Sequence, residues 1–251
     1  MNARKNVITS LLICIILVSG VLAQPIREFS AVAQPISTIA QPTADLSADL
    51  APIKTEVLKS NILVPEFARL RAVDAEVIAS NDFLVSKGFS AQTGAANVWG
   101  QRETYRTTSK GQRMDETYTL RVQDYAKPGS KDAAAIAQVE VVAGGRSEVY
   151  SFSLIAPEGN FEMAEEYQVG ETGEMLSVTK ANSWWSCTKQ RIKEKCGSTC
   201  LSALTTCPTS SWVAYLGCVA VRCGGCFVKA GACCACNCKW WCKWAVGCCH
   251  R

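Results

Sequence analysis

The chain has 251 residues, a formal net charge of +4, fifteen cysteines and one histidine. That length leaves room for one or two domains plus tails. The modest total charge hides a split: residues 24–184 carry fifteen bases and twenty-one acids, whereas the tail from Trp185 carries nine bases and one acid, Glu194. Such asymmetry points to opposed roles of the two parts, either an acidic segment that shields the cationic one before release or two unrelated modules on one chain.

Residues 1–23 read as a secretory signal. Arg4 and Lys5 give a positive start, Val7 to Val21 is an apolar run, and Val21-Leu22-Ala23 offers a cleavage site. The run is shorter than the roughly 20 apolar residues a membrane span needs, with an uncleaved anchor as the alternative reading. Cys14 lies inside it and leaves with the signal. Export matters chemically, because cysteines oxidise outside the cytosol and stay reduced within it. The expected location is therefore extracellular, a secreted protein.

Residues 24–54 repeat Ala-Gln-Pro at 23–25, 33–35 and 40–42 without a helical or strand period. This is a linker, a polyproline-like spacer. Residues 55–180 form the next unit. Pro65 to Ser80 carries Phe67, Leu70, Val73, Val77 and Ile78 at helical spacing, with Pro65 in the first turn. From Glu116 the period becomes two: Tyr118, Leu120 and Val122 alternate with Thr117, Thr119, Arg121 and Gln123, a strand with one wet face. Pro128-Gly129-Ser130 is a turn. Ile136 to Val142 and Glu148 to Ile155 flank Gly144-Gly145 and predict a hairpin. Turns at 157–160 and 170–173 and a last strand through Leu176 and Val178 complete an α+β middle domain of helix plus antiparallel sheet. It has no cysteine and no histidine, its acids read as solvated charges, and no nucleophile, base and oxyanion site comes together in it. The expectation is a protein that is not an enzyme and needs no cofactor.

Residues 181–251 form a small, disulfide-rich, partly helical C-terminal domain. Its cysteines are Cys187, Cys196, Cys200, Cys207, Cys218, Cys223, Cys226, Cys233, Cys234, Cys236, Cys238, Cys242, Cys248 and Cys249. Density of this kind marks a fold too small to hold itself by its core alone. Fourteen is even, so seven bridges would use them all, with a pairing that spacing does not decide. Adjacent cysteines, 233 with 234 and 248 with 249, reach different partners. Cys196 and Cys200, four apart, pin a neighbouring segment twice if helical. Metal is the competing account: Cys223-Gly224-Gly225-Cys226 has zinc-knuckle spacing, and Cys233 to Cys242 is dense enough for a thiolate cluster. His250, penultimate, reads as a plain tail residue.

The tail is also apolar and aromatic. Trp212, Tyr215, Leu216 and Val219 make one wide apolar helix face, and Lys239, Trp240, Trp241, Lys243 and Trp244 mix cations with rings that favour a lipid headgroup zone. Trp212, Lys239, Trp240, Trp241, Lys243 and Trp244 are therefore membrane-contact candidates, with tryptophan packing inside a tiny core as the alternative role.

The layout of signal, acidic middle and cysteine-rich tail, with Cys196-Gly197-Ser198-Thr199-Cys200 and Cys223-Gly224-Gly225-Cys226, resembles the precursors of halocin-like, cysteine-rich bacteriocins. The resemblance implies an antimicrobial peptide cut from the C-terminal end, with a middle domain that binds and blocks it as an immunity partner. The implied partners are a target-cell membrane, the chain's own middle domain and a processing protease, with no nucleic acid. The other classes are a secreted binding or surface protein with the tail as a rigid knob, and a thiolate metal-binding protein.

Overall fold

The computed structural model describes residues 52–109 and 112–236, apart from the side chains of 107–113. The signal, most of the spacer, and Lys239, Trp240, Trp241, Lys243, Trp244, Cys238, Cys242, Cys248, Cys249 and His250 lie outside the described residues.

An antiparallel sheet of eight strands carries everything else. β1 (Lys54–Val57), β3 (Val98–Ser109), β4 (Gln112–Ala126), β5 (Ala133–Ala143), β6 (Arg146–Ala156), β7 (Glu165–Val169) and β8 (Met175–Val178) are neighbours in that order, and β2 (Ser90–Ala91) pairs with β4. β1 begins on Lys54, the last residue assigned to the spacer. The expected hairpin closes at Gly144-Gly145, with Ala143 opposite Arg146. Both glycines have positive φ, +59° and +76°, as a two-residue turn matching the strand twist requires.

The helical stretch differs from expectation. It is two helices, α1 (Ser60–Val73) and α2 (Ala75–Ser86), and Pro65 lies inside α1 instead of in its first turn. The break is Asp74, whose extended backbone ends α1 and whose carboxylate accepts the Val77 N–H at 3.0 Å.

The expected wet face of β4 is dry. Thr119, Arg121 and Gln123 are buried, because α1 and α2 cover that face of the sheet. Val77 and Leu84 pack on Tyr125, Ala134, Ile136 and Ile155. The polar side chains survive burial because each is partnered. Arg121 meets Glu66 at 3.3 Å and Glu140 at 2.7 Å, and Arg71 donates to Gln123.

The opposite face carries the tail. It forms four helices, α3 (Trp184–Lys195), α4 (Ser198–Thr206), α5 (Trp212–Cys223) and α6 (Gly225–Ala235). Their apolar sides share one core with the sheet, from Tyr118, Leu120, Val139, Phe152 and Leu154 to Trp184, Trp212, Leu216 and Phe227. The layers are thus helix, sheet, helix, with the tail as the third. The reason is size: helices of 9 to 12 residues bury too little against one another and use the sheet as their floor.

Candidate functional site: the seam between sheet and tail

Four bridges between described residues shape the tail: Cys187–Cys234, Cys196–Cys226, Cys200–Cys223 and Cys207–Cys218. They are nested, each enclosing the next, so they zip the incoming arm α3–α4 to the outgoing arm α5–α6. Cys233 and Cys236 are disulfide-bonded too. Cys196 and Cys200 do pin one neighbouring segment twice, yet from a helix end and the next helix rather than from one face. Cys223 and Cys226 reach different partners, so this motif is neither a zinc knuckle nor a redox pair. It is a corner. Gly224 adopts φ +54° and ψ −143°, and a Cβ on Gly225 would lie 2.7 Å from the Tyr105 hydroxyl and 2.6 Å from Pro52. Among the described residues no group of three or more His, Cys, Asp or Glu side chains is placed to hold a metal ion.

All four bridges join tail to tail. The sheet holds the tail by other means, beginning with carboxylates at helix starts. Glu166 of β7, buried, accepts the Ser183 hydroxyl at 2.8 Å and the Trp184 and Trp185 N–H groups at 2.9 and 3.0 Å. An anion at a helix N-terminus meets both free donors and the positive end of the dipole. Asp124 of β4 does the same for α5, accepting the Val213 N–H at 3.0 Å. Burial pushes the Asp124 carboxyl up, and hydrogen bonds from the start of α5 pull it part of the way back. Glu162 meets Lys189 at 3.0 Å.

Aromatic rings fill the space between these anchors. Phe161, in the turn before β7, packs on Trp212 at 4.4 Å and on Tyr215 at 4.7 Å between ring centres. Phe152 stacks on Trp184 at 4.9 Å. The indoles of Trp184, Trp185 and Trp212 donate to the carbonyls of Gly231, Phe161 and Ala133. Trp212, a candidate by sequence for either membrane contact or core packing, is fully buried.

The third anchor lies under the Gly224-Gly225 corner. Glu103 and Tyr118 face each other on β3 and β4, as do Tyr105 and Glu116. The Tyr105 hydroxyl lies 2.6 Å from Glu103 Oε2 and 2.6 Å from the Gly225 carbonyl. One hydroxyl proton serves one acceptor, so both contacts are made when Glu103 is protonated and donates to Tyr105 while Tyr105 donates to Gly225. Burial pushes Glu103 up to about 7, against hydrogen bonds from Tyr105 and Gln101 and the charge of Lys229. The Lys229 ammonium sits 4.7 Å from the centre of the Tyr105 ring.

The acids of the middle domain are therefore not all solvated charges. Glu103, Glu116, Asp124 and Glu166 are buried, all on the tail-facing side or its rim. One of them was visible in the alternation: Asp124 has the parity of Tyr118, Leu120 and Val122, an acid on the apolar face of β4. Comparison with protein-family models, curated proteins and solved structures finds no match to this chain.

Proposed function

We propose that this is a secreted precursor of a cysteine-rich, cationic, membrane-active antimicrobial peptide, and that the middle domain shields the peptide by docking it. One observation carries the reading. The tail is internally cross-linked, and the middle domain has no cysteine with which to bridge it, so among the described residues it is held on the sheet by noncovalent contacts and a single backbone cut would leave it detachable with its bridges intact. Disulfides in this number are characteristic of exported proteins. No single described helix is long and apolar enough to cross a membrane, but α5 and α6 together have the length and composition, bent by 117°. Undocking exposes their apolar faces, Trp212 included. The exposed turn Thr179–Asn182, closed by the Asn182 N–H to the Thr179 carbonyl at 2.9 Å, is the accessible place for the cut.

The test replaces this turn with a specific protease site and follows dye leakage from anionic vesicles at low salt. Intact protein leaves the vesicles sealed, and the oxidised tail separated after cutting makes them leak. A separated, oxidised tail that leaves vesicles and bacteria unharmed overturns the proposal. A second reading, a secreted binding protein with a permanent rigid tail, is favoured by the shared core. Secreted material that keeps the mass of the undivided chain decides for it.

A further inference from the structure

We propose that the sheet is the folding template for the disulfide ladder, a task separate from shielding. The nested bridges demand one register between the two arms. Nothing in the cysteine spacing enforces it: Cys233 adjoins Cys234, Cys223 is three residues from Cys226, and Cys196 is four from Cys200. Helices of 9 to 12 residues are marginal alone, so the reduced arms have little structure with which to choose partners.

The sheet supplies the choice, because its three anchors each fix one helix start. Glu166 holds the N-terminus of α3, and Cys187 follows Trp184 by three residues. Asp124 holds the N-terminus of α5, and Cys218 lies five residues past Val213. Tyr105 holds the first residue of α6, and Cys226 is the next. None of the anchors contains sulfur, and the described sheet has no cysteine, so the template forms while every thiol is still reduced. With three helix starts fixed, the effective concentration of each native partner exceeds that of its neighbours.

The chemistry is ordinary exchange with a low-molecular-weight disulfide such as glutathione disulfide. One protein thiolate attacks it, expels a glutathione thiolate and forms a mixed disulfide. The partner thiolate then attacks the protein sulfur and expels the second glutathione. Each bridge oxidises two protein thiols and reduces one glutathione disulfide to two thiols. The sheet transfers no electrons; it selects which thiolate arrives second.

The experiment refolds the reduced full-length chain in a glutathione buffer, traps thiols with an alkylating agent at timed points and maps the bridges by mass spectrometry. Wild type recovers the four nested pairs. The double variant Glu166→Gln, Asp124→Asn forms Cys187–Cys234 and Cys207–Cys218 about tenfold more slowly, the factor expected for losing a charged hydrogen bond, with non-native pairs accumulating. Ile136→Ala, on the other face of the sheet, keeps the native map. The same four bridges at the wild-type rate in the double variant overturn the proposal. If that variant does not fold, hydrogen exchange on the fully alkylated wild-type chain decides: protected amides in β4 to β6 support a template that precedes the bridges, and unprotected ones overturn it. The bridge map is independent of what the tail does, so it and the vesicle assay fail separately.

Discussion

The two faces of the sheet carry helices of similar length held in different ways. On one face α1 and α2 are capped locally and tied to the sheet by side-chain pairs, Arg121 with Glu66 and Arg71 with Gln123. Asp74 caps α2 from the adjoining turn, the clusters around Phe67 and Leu84 are small and mix aliphatic side chains with Phe89 and Tyr125, and Arg121 pairs with Glu66 and Glu140. On the other face local caps exist, Ser183 and Ser211, but the sheet adds a carboxylate to each. The tail also draws on its nested bridges and a continuous aromatic seam. One layer is built to stay. The other is cross-linked within itself and rests on the sheet through noncovalent contacts among the described residues.

The largest effect that sharpens this contrast comes from the rings. Trp212→Ala empties the contact with Phe161 and removes the hydrogen bond to Ala133, and a buried aromatic truncated to alanine costs roughly 3–5 kcal/mol. Denaturant unfolding with the bridges intact reports the loss, and limited proteolysis places it in the tail layer. Phe67→Ala has a similar cost and opens α1 instead. Equal protease sensitivity of both layers in both variants breaks the contrast.

Next in size is pH. Burial raises Glu103 from an ordinary 4.5 to about 7 in the folded protein, so the folded state binds the extra proton. Stability from this group is therefore complete below 4.5, falls as pH rises from 4.5 to about 7, and is flat beyond. The span is at most about 3 kcal/mol by proton linkage. Glu103→Gln keeps a donor for Tyr105 and removes the charge. Unfolding measured between pH 4.5 and 8 should show the decline in wild type and its absence in this variant. A wild-type profile that rises over that window contradicts the assignment.

What could be read ahead depended on how local the cause was. The hairpin at Gly144-Gly145 follows from two residues that tolerate positive φ, and the strands either side follow from alternation. β3 escaped notice because Gln101, Glu103 and Tyr105 look like a wet surface, and only the tail above them makes it dry. The polar side of β4 misled for the same reason, since alternation counts one apolar face and cannot see the helices that cover the other. In the tail, the cysteines announced bridges, but the pairing depends on where the sheet places each helix. Trp212 suited a membrane and a core equally by composition; Phe161, fifty-one residues earlier in the chain, decides for the core.

Smaller effects separate borrowed caps from local ones. Glu166→Gln leaves acceptor oxygen but removes the charge facing the start of α3, a loss of about 1.5–3 kcal/mol for a charged hydrogen-bond set. It should be seen as faster hydrogen exchange at Trp184 and Trp185 and easier undocking after a cut at 179–182, with α2 unchanged. Asp74→Ala removes one local cap, worth about 1 kcal/mol. Its exchange signature belongs at Val77 and the first turn of α2, which touches β5 and β6 on the face away from the tail. Because among the described residues that face shares no bridge and no anchor with the seam, the leakage caused by a released tail should be the same with and without this change. If Asp74→Ala instead loosens the tail as much as Glu166→Gln does, the two layers unfold as one cooperative unit, and the tail is a fixed wall of the fold rather than a seated cargo.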